Sequence, residues 1–480
     1  MEAGVPALRA FAAEAARGAD RVVVLGMGGS SLAPLVFSDS FPPARGAPRL
    51  EVLDSTEPAS VLAVLRGGPA SRTIYVVSSK SGTTLEPNIF FDFFYAEAQK
   101  ELGESAGERF VVVTDPGSAL EKEAGRRRVR RIFPGDPRIG GRYSALSNFG
   151  IVPAALAGID VEGLLRRARE AAAACRKTGR DNPGLVLGAA IASLALAGRD
   201  KLTFDVGPPV GCFGMWTEQL VAESTGKEGK GILPVEGEPL GGPSDYGRDR
   251  FFAALRREGD EDGWQHLGRL VSGGHPAARD SVEAGIDLGA QMFLWEFATA
   301  VAGRVLGINP FDQPNVQEAK DRTNEILEGG GAAKASGGID TGALSDLLAS
   351  IRPGDYFAVM AYVPSTEEHE LLLTETRLRV RDAKRVATTV GFGPRFLHST
   401  GQFHKGGPPS GVFLQVTAEP RERVPIPGRP WGFGEVVAAQ AAGDLAALRS
   451  RGRRAATVHL GPDVAEGLAE LDRAVAGVLK

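Results

Sequence analysis

The sequence is poor in cysteine and histidine, and each shortage excludes a class of chemistry. Its 480 residues include 2 cysteines, Cys175 and Cys212, and 6 histidines. Two cysteines are too few for a disulfide framework or for a cysteine-based metal site. A zinc site would need further ligands at suitable spacing, and none is evident. We therefore expect no bound metal.

Long apolar runs and a large net charge are also lacking. No apolar stretch reaches the length of a membrane span, and the N-terminus lacks the basic and then apolar pattern of a signal segment. The net charge of -4 gives no general attraction to nucleic acid or to an anionic membrane. With 43% hydrophobic and 24% charged residues, the composition is that of a globular protein. We expect a cytoplasmic protein without nucleic-acid or membrane partners, which binds any anion through placed groups.

Short β-branched runs alternate with helix-like segments along most of the chain. A second series of this kind starts at Lys201–Val206, after a helical stretch from Val161 to Arg199. Such alternation predicts parallel sheets with helices on both faces, and the length of the chain predicts two or three domains. The glycine-rich Gly329–Gly338 predicts a linker or an exposed loop. The other strands are predicted at Arg21–Leu25, Leu50–Leu53, Thr73–Val77, Phe110–Thr114, Tyr356–Val363, Ala387–Val390, Val412–Val416 and Ala455–Leu460.

The stretch Ser78–Glu86 combines five hydroxyl side chains with one lysine and one glycine, directly after a predicted strand. Short donors gathered ahead of a helix can surround an anion, with the positive end of the helix dipole behind it. A helix cap needs a single hydroxyl, so five in one turn favour a bound phosphate. Plain capping of the following helix remains the alternative.

The glycine turn Gly26–Ser31 after the first strand has two interpretations. It comes close to a dinucleotide fingerprint, and Asp54 at the end of the second strand could act as the ribose-binding acid. However, Ser31 replaces the third glycine of that pattern. Serines suit a sugar phosphate or its hydroxyls better, so a nicotinamide site is the weaker interpretation.

Three further motifs carry groups that can handle a proton or an oxyanion. Arg142 follows two glycines, which allow a substrate to approach its guanidinium closely. Gln219 and Glu223 share a helix face, where a carboxylate with a raised pKa could act as a base. Gln313 and Lys320 also face the same way at the start of a helix. Taken singly, each motif has a plain alternative: a turn with a surface arginine for Arg142, a solvated helix for Glu223, which is the more common case, and a solvated lysine for Lys320.

The polar, glycine-rich loop Leu397–Gly407 contains two of the histidines, His398 and His404. Histidines in loops are more often functional than histidines on a packed helix face. A solvated loop in which they have no function is the alternative.

Taken together, the hydroxyl turn, the Gly-Gly-Arg segment and the segments around Glu223 and Lys320 resemble the phosphoglucose isomerase family, in the same order. The resemblance covers most of residues 20–328. It implies an α/β fold of two doubly wound, sugar-isomerase (SIS) type parallel-sheet domains with helical connections. It also implies interconversion of glucose 6-phosphate and fructose 6-phosphate through ring opening and an enediolate, without a cofactor.

The same resemblance implies a role for each matching residue. Glu223 moves the proton between C1 and C2, and Arg142 stabilises the charge that develops there. Lys320 and a histidine open the sugar ring. The substrate pocket consists of the phosphate ligands Ser79, Ser81 and Thr84, of Lys80 mainly through its backbone, and of Gly28, Ser30, Glu86, Gln219 and Gln313.

The position of the histidine departs from the family pattern. The family has it between the glutamate and lysine motifs, where this sequence reads Gly242–Gly247 and contains no histidine. Leu397–Gln402 resembles the missing segment, so we expect a permuted second domain in which His398 opens the ring. Asp245 or Tyr246 would be its substitutes in the original position. In the family this histidine comes from the neighbouring subunit, which implies a homodimer.

The arrangement is similar to the isomerase part of bifunctional transaldolase–phosphoglucose isomerase proteins. The domains it implies are residues 1–160 with the phosphate turn, 161–328 with the helical connection and the start of the second domain, and 329–480 as its permuted remainder. Two alternatives stay open. The substrate range could extend to mannose 6-phosphate, or the chain could be a sugar-phosphate sensor, which would have no use for Glu223, Arg142 and Lys320 together.

Overall fold

The computed structural model describes residues 4–315, 317–329 and 338–480, so most of the predicted linker Gly329–Gly338 lies outside the described residues. The strands are β1 (Arg21–Gly26), β2 (Arg49–Leu53), β3 (Thr73–Ser78), β4 (Phe110–Thr114), β5 (Arg131–Pro134), β6 (Lys201–Val206), β7 (Leu233–Val235), β8 (Arg250–Arg256), β9 (Ala277–Ser281), β10 (Tyr356–Tyr362), β11 (Ala387–Phe392), β12 (Gly411–Ala418) and β13 (Arg454–Leu460). The helices are α1 (Val5–Ala15), α2 (Leu32–Ser40), α3 (Pro58–Arg66), α4 (Leu85–Leu102), α5 (Ala119–Arg126), α6 (Asn148–Leu156), α7 (Val161–Ala174), α8 (Pro183–Leu196), α9 (Phe213–Thr225), α10 (Glu261–Ser272), α11 (Leu288–Leu306), α12 (Gln317–Glu328), α13 (Thr341–Ala349), α14 (Glu367–Lys384), α15 (Gly401–Gly406), α16 (Phe433–Ser450) and α17 (Val464–Val478).

Within the described ranges the strands form three parallel sheets, with the orders β2-β1-β3-β4-β5, β7-β6-β8-β9 and β11-β10-β12-β13. The expected α/β class is confirmed, with three sheets in place of the two expected. Residues 338–480 form a sheet of their own and do not complete the second one. The domain bounds 1–160, 161–328 and 329–480 each enclose one of these sheets and stay predictions.

The first sheet is covered on both faces because its central strands carry apolar side chains in both directions. Every residue of β1 and β3 is buried. Val22 and Val24 join one core cluster, whereas Val23 and Leu25 join another on the opposite face. Strands with this composition belong in the middle of a parallel sheet between two helical layers.

The register of β1 and β3 brings the two glycine- and hydroxyl-containing turns together. Gly26, the last residue of β1, is paired with Ser78, the last residue of β3. The chain therefore leaves both strands side by side at the carboxyl edge of the sheet, where ligands of such sheets bind.

Helix α16 ties the C-terminal third of the chain to the first sheet. The ring of Phe433 stacks on Phe90 of α4 at 5.9 Å between centroids and meets Phe93 edge-on at 5.5 Å. Val436 and Ala439 of α16 are buried in the same cluster as Val23 of β1. Because α16 also packs along α12, it brings residues of the last third of the chain close to the carboxyl edge of the first sheet.

A buried ion pair joins the second and third sheets. Glu238 and Arg250 have fully buried side chains and lie 2.8 Å apart. Glu238 also accepts hydrogen bonds from the backbone N–H and the hydroxyl of Thr388 on β11, at 3.1 and 2.6 Å. A buried carboxylate needs such partners, so this contact fixes how the two sheets meet.

Candidate active site

The hydroxyl turn between β3 and α4 does not serve to cap the helix. Thr84 occupies the N-cap position of α4, but its side chain makes no capping hydrogen bond to any residue that the structure describes. The hydroxyls of Ser81 and Thr83 lie 3.0 Å apart, and those of Ser78 and Ser79 are buried without a partner among the described residues. Buried polar groups are rarely left unpaired, so the turn has donors to spare for a ligand. This counts against the plain capping interpretation.

Lys80 is held behind the turn. Its Nζ lies 2.6 Å from a carboxylate oxygen of Asp115, after β4, and donates to the carbonyl of Asp136 at 2.9 Å. With the ammonium occupied there, Lys80 can serve a ligand only through its backbone, as the resemblance implies. The Lys80–Asp115 pair also fixes the turn to the neighbouring strand end.

Glu86, in the first turn of α4, contacts the histidine of the permuted segment. His398 Nε2 lies 3.0 Å from Glu86 Oε1, and the Glu86 side chain is buried. Burial raises the pKa of Glu86, but the charge of His398 and its hydrogen bond outweigh burial and leave that pKa below its ordinary value. The pair is thus an ionised carboxylate facing an imidazole, an arrangement suited to proton transfer.

Gln219 of α9 connects this histidine to the carboxylate that was expected to be the base. Its Nε2 donates to Glu223 Oε2 at 3.1 Å and to the backbone carbonyl of His398 at 2.7 Å. Burial raises the pKa of Glu223 above its ordinary value, against the opposing charges of Arg142 and His398. A buried carboxylate with a raised pKa is suited to accept a proton near neutral pH.

Arg142 lies on the other side of Glu223 and is fully buried. Its Nη1 is 3.6 Å from Glu223 Oε1 and donates to Gln313 Oε1 at 2.6 Å. Its Nε donates to the Ser224 hydroxyl at 2.7 Å, and its Nη2 to the carbonyl of Pro310 at 2.5 Å. These bonds hold the guanidinium rigidly, with Nη1 beside the carboxylate.

Lys320 and His398 line a common cavity of about 400 Å³ between the hydroxyl turn and the C-terminal segment. The charge of Lys320 also favours the ionised form of both Glu86 and Glu223, although burial still leaves the pKa of Glu223 raised. The cavity wall consists of Thr83, Thr84, Leu85, Glu86, Asn88, Lys320, Thr323, Asn324, Leu397, His398, Lys405, Arg429 and Gln440.

The expected site residues fall into two groups. Thr84, Glu86, Lys320 and His398 line this cavity. The second group adjoins the cavity through Gln219, and its members lie around Glu223 or in the turns after β1 and β3. They are Gly28, Ser30, Ser79, Lys80, Ser81, Arg142, Gln219, Glu223 and Gln313.

The glycine turn after β1 closely contacts the His398 segment. A Cβ on Gly28, whose φ is +54°, would lie 2.8 Å from the His398 carbonyl oxygen and 2.9 Å from Gln219 Nε2. A Cβ on Gly29 would lie 2.2 Å from the carbonyl oxygen of Gly141, in the turn that carries Arg142. The glycines therefore permit close packing of three chain segments.

This packing speaks against the nicotinamide interpretation. Asp54 forms a bidentate ion pair with Arg395, at 2.7 and 2.9 Å, and is therefore engaged within the protein. The Gly28 backbone faces protein atoms. The two features of the suspected fingerprint, the glycine turn and Asp54, thus hold the segment around His398 in place.

The other residues considered for the histidine's role lie elsewhere. Asp245 accepts from the backbone of Gly242 at 2.6 Å, and the Tyr246 hydroxyl from that of Gly241 at 2.6 Å. Neither lines the cavity, so they are not its substitutes. His404 is a core residue: its Nδ1 is 2.9 Å from the Tyr356 hydroxyl, and burial keeps its pKa well below the ordinary value.

Three residues at the site carried no signal in the sequence. Gln440 of α16 donates to Glu86 Oε1 at 2.7 Å and accepts from the Thr56 hydroxyl at 2.6 Å. Glu218 accepts from Ser399 at 3.2 Å, and burial raises its pKa to about 8. Only the three-dimensional fold brings these residues beside His398.

The described residues contain no cluster of three or more His, Cys, Asp or Glu side chains that could hold a metal ion. No helix in the same part of the chain has both the length and the apolar character needed to cross a membrane.

Comparison with solved structures places the fold in a known class. A Thermus thermophilus protein described as hypothetical superposes with a TM-score of 0.58 at 26% identity, covering 67% of this chain and 87% of that one. Glucose-6-phosphate isomerase from Chlamydia trachomatis gives a TM-score of 0.57 at 21% identity, with coverages of 68% and 73%. The fold is therefore of the parallel-sheet class found in glucose-6-phosphate isomerase.

Comparison of sequences gives the family. The profile of phosphoglucose isomerase matches residues 9–227. Glucose-6-phosphate isomerase of Rubrobacter xylanophilus is 31% identical over 353 residues, which cover 63% of this chain and 81% of that protein. The enzyme of the same name from Symbiobacterium thermophilum is 31% identical over 362 residues, with coverages of 64% and 80%. The chain belongs to the phosphoglucose isomerase family, as the motifs predict.

The close contact at Gly28 can be tested by its effect on stability. We expect Gly28→Ala to lower the free energy of unfolding by about 2–4 kcal/mol, because the methyl group meets the His398 carbonyl in a backbone that already disfavours side chains. Gly307→Ala is the matched control: its φ is +68°, and among the described residues the first atom that an added Cβ meets is Lys230 Nζ, at 3.9 Å. It should cost only about 1–2 kcal/mol. Equal losses in urea unfolding would contradict the contact.

Proposed function

We propose that this protein interconverts glucose 6-phosphate and fructose 6-phosphate by ring opening and proton transfer through an enediolate, without a cofactor. The observation that carries the proposal is the Gln219 amide, which joins Glu223 and the His398 backbone while His398 itself contacts Glu86. Glu223, a base with a raised pKa, thus lies next to the pair formed by the ionised Glu86 carboxylate and His398. Membership of the phosphoglucose isomerase family supports the same reaction.

We propose that the turn after β3 holds the phosphate. The Ser79 hydroxyl, which has no partner in the described part of the chain, and the half-buried Thr84 at the start of α4 supply donors, and Ser81 is exposed at the mouth of the turn. The backbone of Lys80 adds N–H donors, while the N-terminus of α4 favours negative charge. Gly28 and Ser30 border the sugar from the neighbouring turn, and Gln219 and Gln313 do so from the opposite side.

Ring opening belongs to His398 and Lys320. Glu86 holds an imidazole N–H of His398, which leaves the ring able to exchange a proton with the sugar. Lys320 lines the same cavity and supplies a positive charge near the ring oxygen. A proton donor and a cation on one cavity are what opening a cyclic sugar requires.

Isomerisation belongs to Glu223 and Arg142. In the open chain, Glu223 takes the proton from C2 or C1 and returns it to the other carbon. The negative charge that develops on the enediolate oxygens is stabilised by Arg142 through Nη1, the atom nearest the carboxylate. Both groups are buried, and burial strengthens this interaction.

Extension to mannose 6-phosphate and a sensor function are not favoured. A sensor would require the phosphate turn but would gain nothing from a buried glutamate beside a fully buried arginine. Cytoplasmic location and a homodimer stay predictions. The argument for a dimer was a histidine donated by a second subunit, whereas here His398 contacts Glu86 of its own chain.

Removing the base should abolish turnover with little change in structure. We expect Glu223→Gln to lower kcat for fructose 6-phosphate by at least about a hundredfold, since a general base contributes on that scale. Sugar-phosphate binding should survive, because the phosphate turn is untouched. In the wild type, activity should fall as pH drops through the raised pKa of Glu223, because the protonated acid cannot accept a proton. A Glu223→Gln protein with full activity would refute the assignment.

We expect His398 to be required for turnover of ring-closed substrate and not for turnover of an open-chain analogue. We expect His398→Ala to reduce turnover of ring-closed substrate by about a hundredfold and turnover of an open-chain analogue far less. His404→Ala is a poor control, because that residue is part of the core. His266→Ala is a better one, since this half-buried histidine contacts the carbonyl of Gly241 away from the cavity. Equal losses on both substrates would assign ring opening to another group.

A further inference from the structure

We propose that Gln440 is a positioning residue that holds the Glu86 carboxylate ionised and directed toward His398. The inference rests on the proposed function, in which His398 opens the sugar ring. It concerns a residue that lies 354 positions from Glu86 in sequence and belongs to the C-terminal third of the chain.

Three buried side chains and the half-buried His398 form one continuous hydrogen-bonded series. The Thr56 hydroxyl donates to Gln440 Oε1 at 2.6 Å, Gln440 Nε2 donates to Glu86 Oε1 at 2.7 Å, and His398 Nε2 lies 3.0 Å from the same oxygen. Thr56, Gln440 and Glu86 are 0%, 3% and 5% exposed. Hydrogen bonds among buried groups are strong, and each fixes the next.

The chemistry of the amide sets its orientation. An amide oxygen only accepts and an amide nitrogen only donates, whereas the Thr56 hydroxyl can do either and an ionised carboxylate only accepts. The Glu86 carboxylate therefore faces the amide N–H of Gln440, and the amide oxygen accepts from the Thr56 hydroxyl. A donor at that position favours the ionised carboxylate over the neutral acid.

Glu86 is otherwise surrounded by groups that could compete for it. His398 and Lys320 both stabilise its charge, and Lys405 and Arg429 line the same cavity. Lys405 is itself paired with Asp444. The carboxylate could therefore turn toward Lys320 or Arg429. Gln440, held by Thr56, keeps Oε1 facing the imidazole.

The backbone around Gln440 is rigid enough for this role. The N-terminal half of α16 is fixed by Phe433 against Phe90 and Phe93. Thr56 follows β2 by only three residues and precedes α3, which begins at Pro58. Groups on packed elements can position a reacting side chain to within a few tenths of an ångström.

The test is Gln440→Glu, which keeps the size of the side chain and the acceptor for Thr56 but replaces the donor facing Glu86 by a second carboxylate. Two adjacent carboxylates raise the pKa of at least one of them. We expect kcat on ring-closed fructose 6-phosphate to fall by about tenfold or more, with the acid limb of its pH profile moved to higher pH. Turnover of the open-chain analogue should change little.

Gln415→Glu is the matched control. Gln415 is a buried glutamine of the same part of the chain, 2% exposed, and donates to the carbonyl of Ala441 at 2.8 Å. The Gln415→Glu variant should lose stability as Gln440→Glu does. It should nevertheless keep the wild-type pH profile and the wild-type ratio of kcat on the ring-closed substrate to kcat on the open-chain analogue. If both variants alter these quantities alike, or neither does, Gln440 has only a structural role.

Two further variants keep the test decisive if Gln440→Glu folds poorly. Thr56→Val, which removes the donor to the Gln440 amide oxygen, should shift the pH profile in the same direction by a smaller amount, and Thr56→Ser, which keeps that donor, should leave it as in the wild type. An unchanged pH profile in Thr56→Val would overturn the inference. Absence of isomerase activity in the wild type would instead overturn the proposed function.

Discussion

The candidate site depends on one close contact, in which the backbone of the His398 segment fits against Gly28 and the amide of Gln219. Gln219 donates both to the His398 carbonyl at 2.7 Å and to Glu223 at 3.1 Å. Because one amide makes both bonds, the distance between the His398 backbone and the Glu223 carboxylate is fixed by a single side chain. A side chain at Gly28 would separate the two halves of the site.

Around this contact, an ion pair holds in place a segment that is distant in sequence. The turn before His398 is tied to the first sheet by Arg395 and Asp54, 341 residues apart. On its other side, Ser399 donates to Glu218. These bonds hold the chain in place on both sides of His398, and preorganisation of this kind lowers the cost of reaching the transition state. The first and third sheets are therefore coupled at the same place where the chemistry is proposed to occur.

Much of this site could be predicted from local patterns. The hydroxyl turn, Arg142 beside its glycines and the Gln219–Glu223 helix face are short-range signals, and the structure brings them to one edge of the first sheet. The second sheet was harder to foresee, because β7 has only three residues and β9 is mostly exposed, so neither has the apolar run of a buried strand. Gln440 and Thr56 could not be found at all. Their contact joins residues 384 positions apart, and nothing local distinguishes a buried glutamine in a helix from a solvated one.

The central claim is that one chain supplies both Glu223 and His398 to the same site. The most direct measurement is a complementation assay in which Glu223→Gln and His398→Ala chains are co-expressed, purified together and assayed on fructose 6-phosphate. If each site is built within one chain, the mixture has only the summed residual activity of the two variants, because every site lacks one group. If His398 came from a partner subunit, mixed assemblies would contain sites with both groups intact. Recovery of substantial activity in the mixture would therefore contradict the claim.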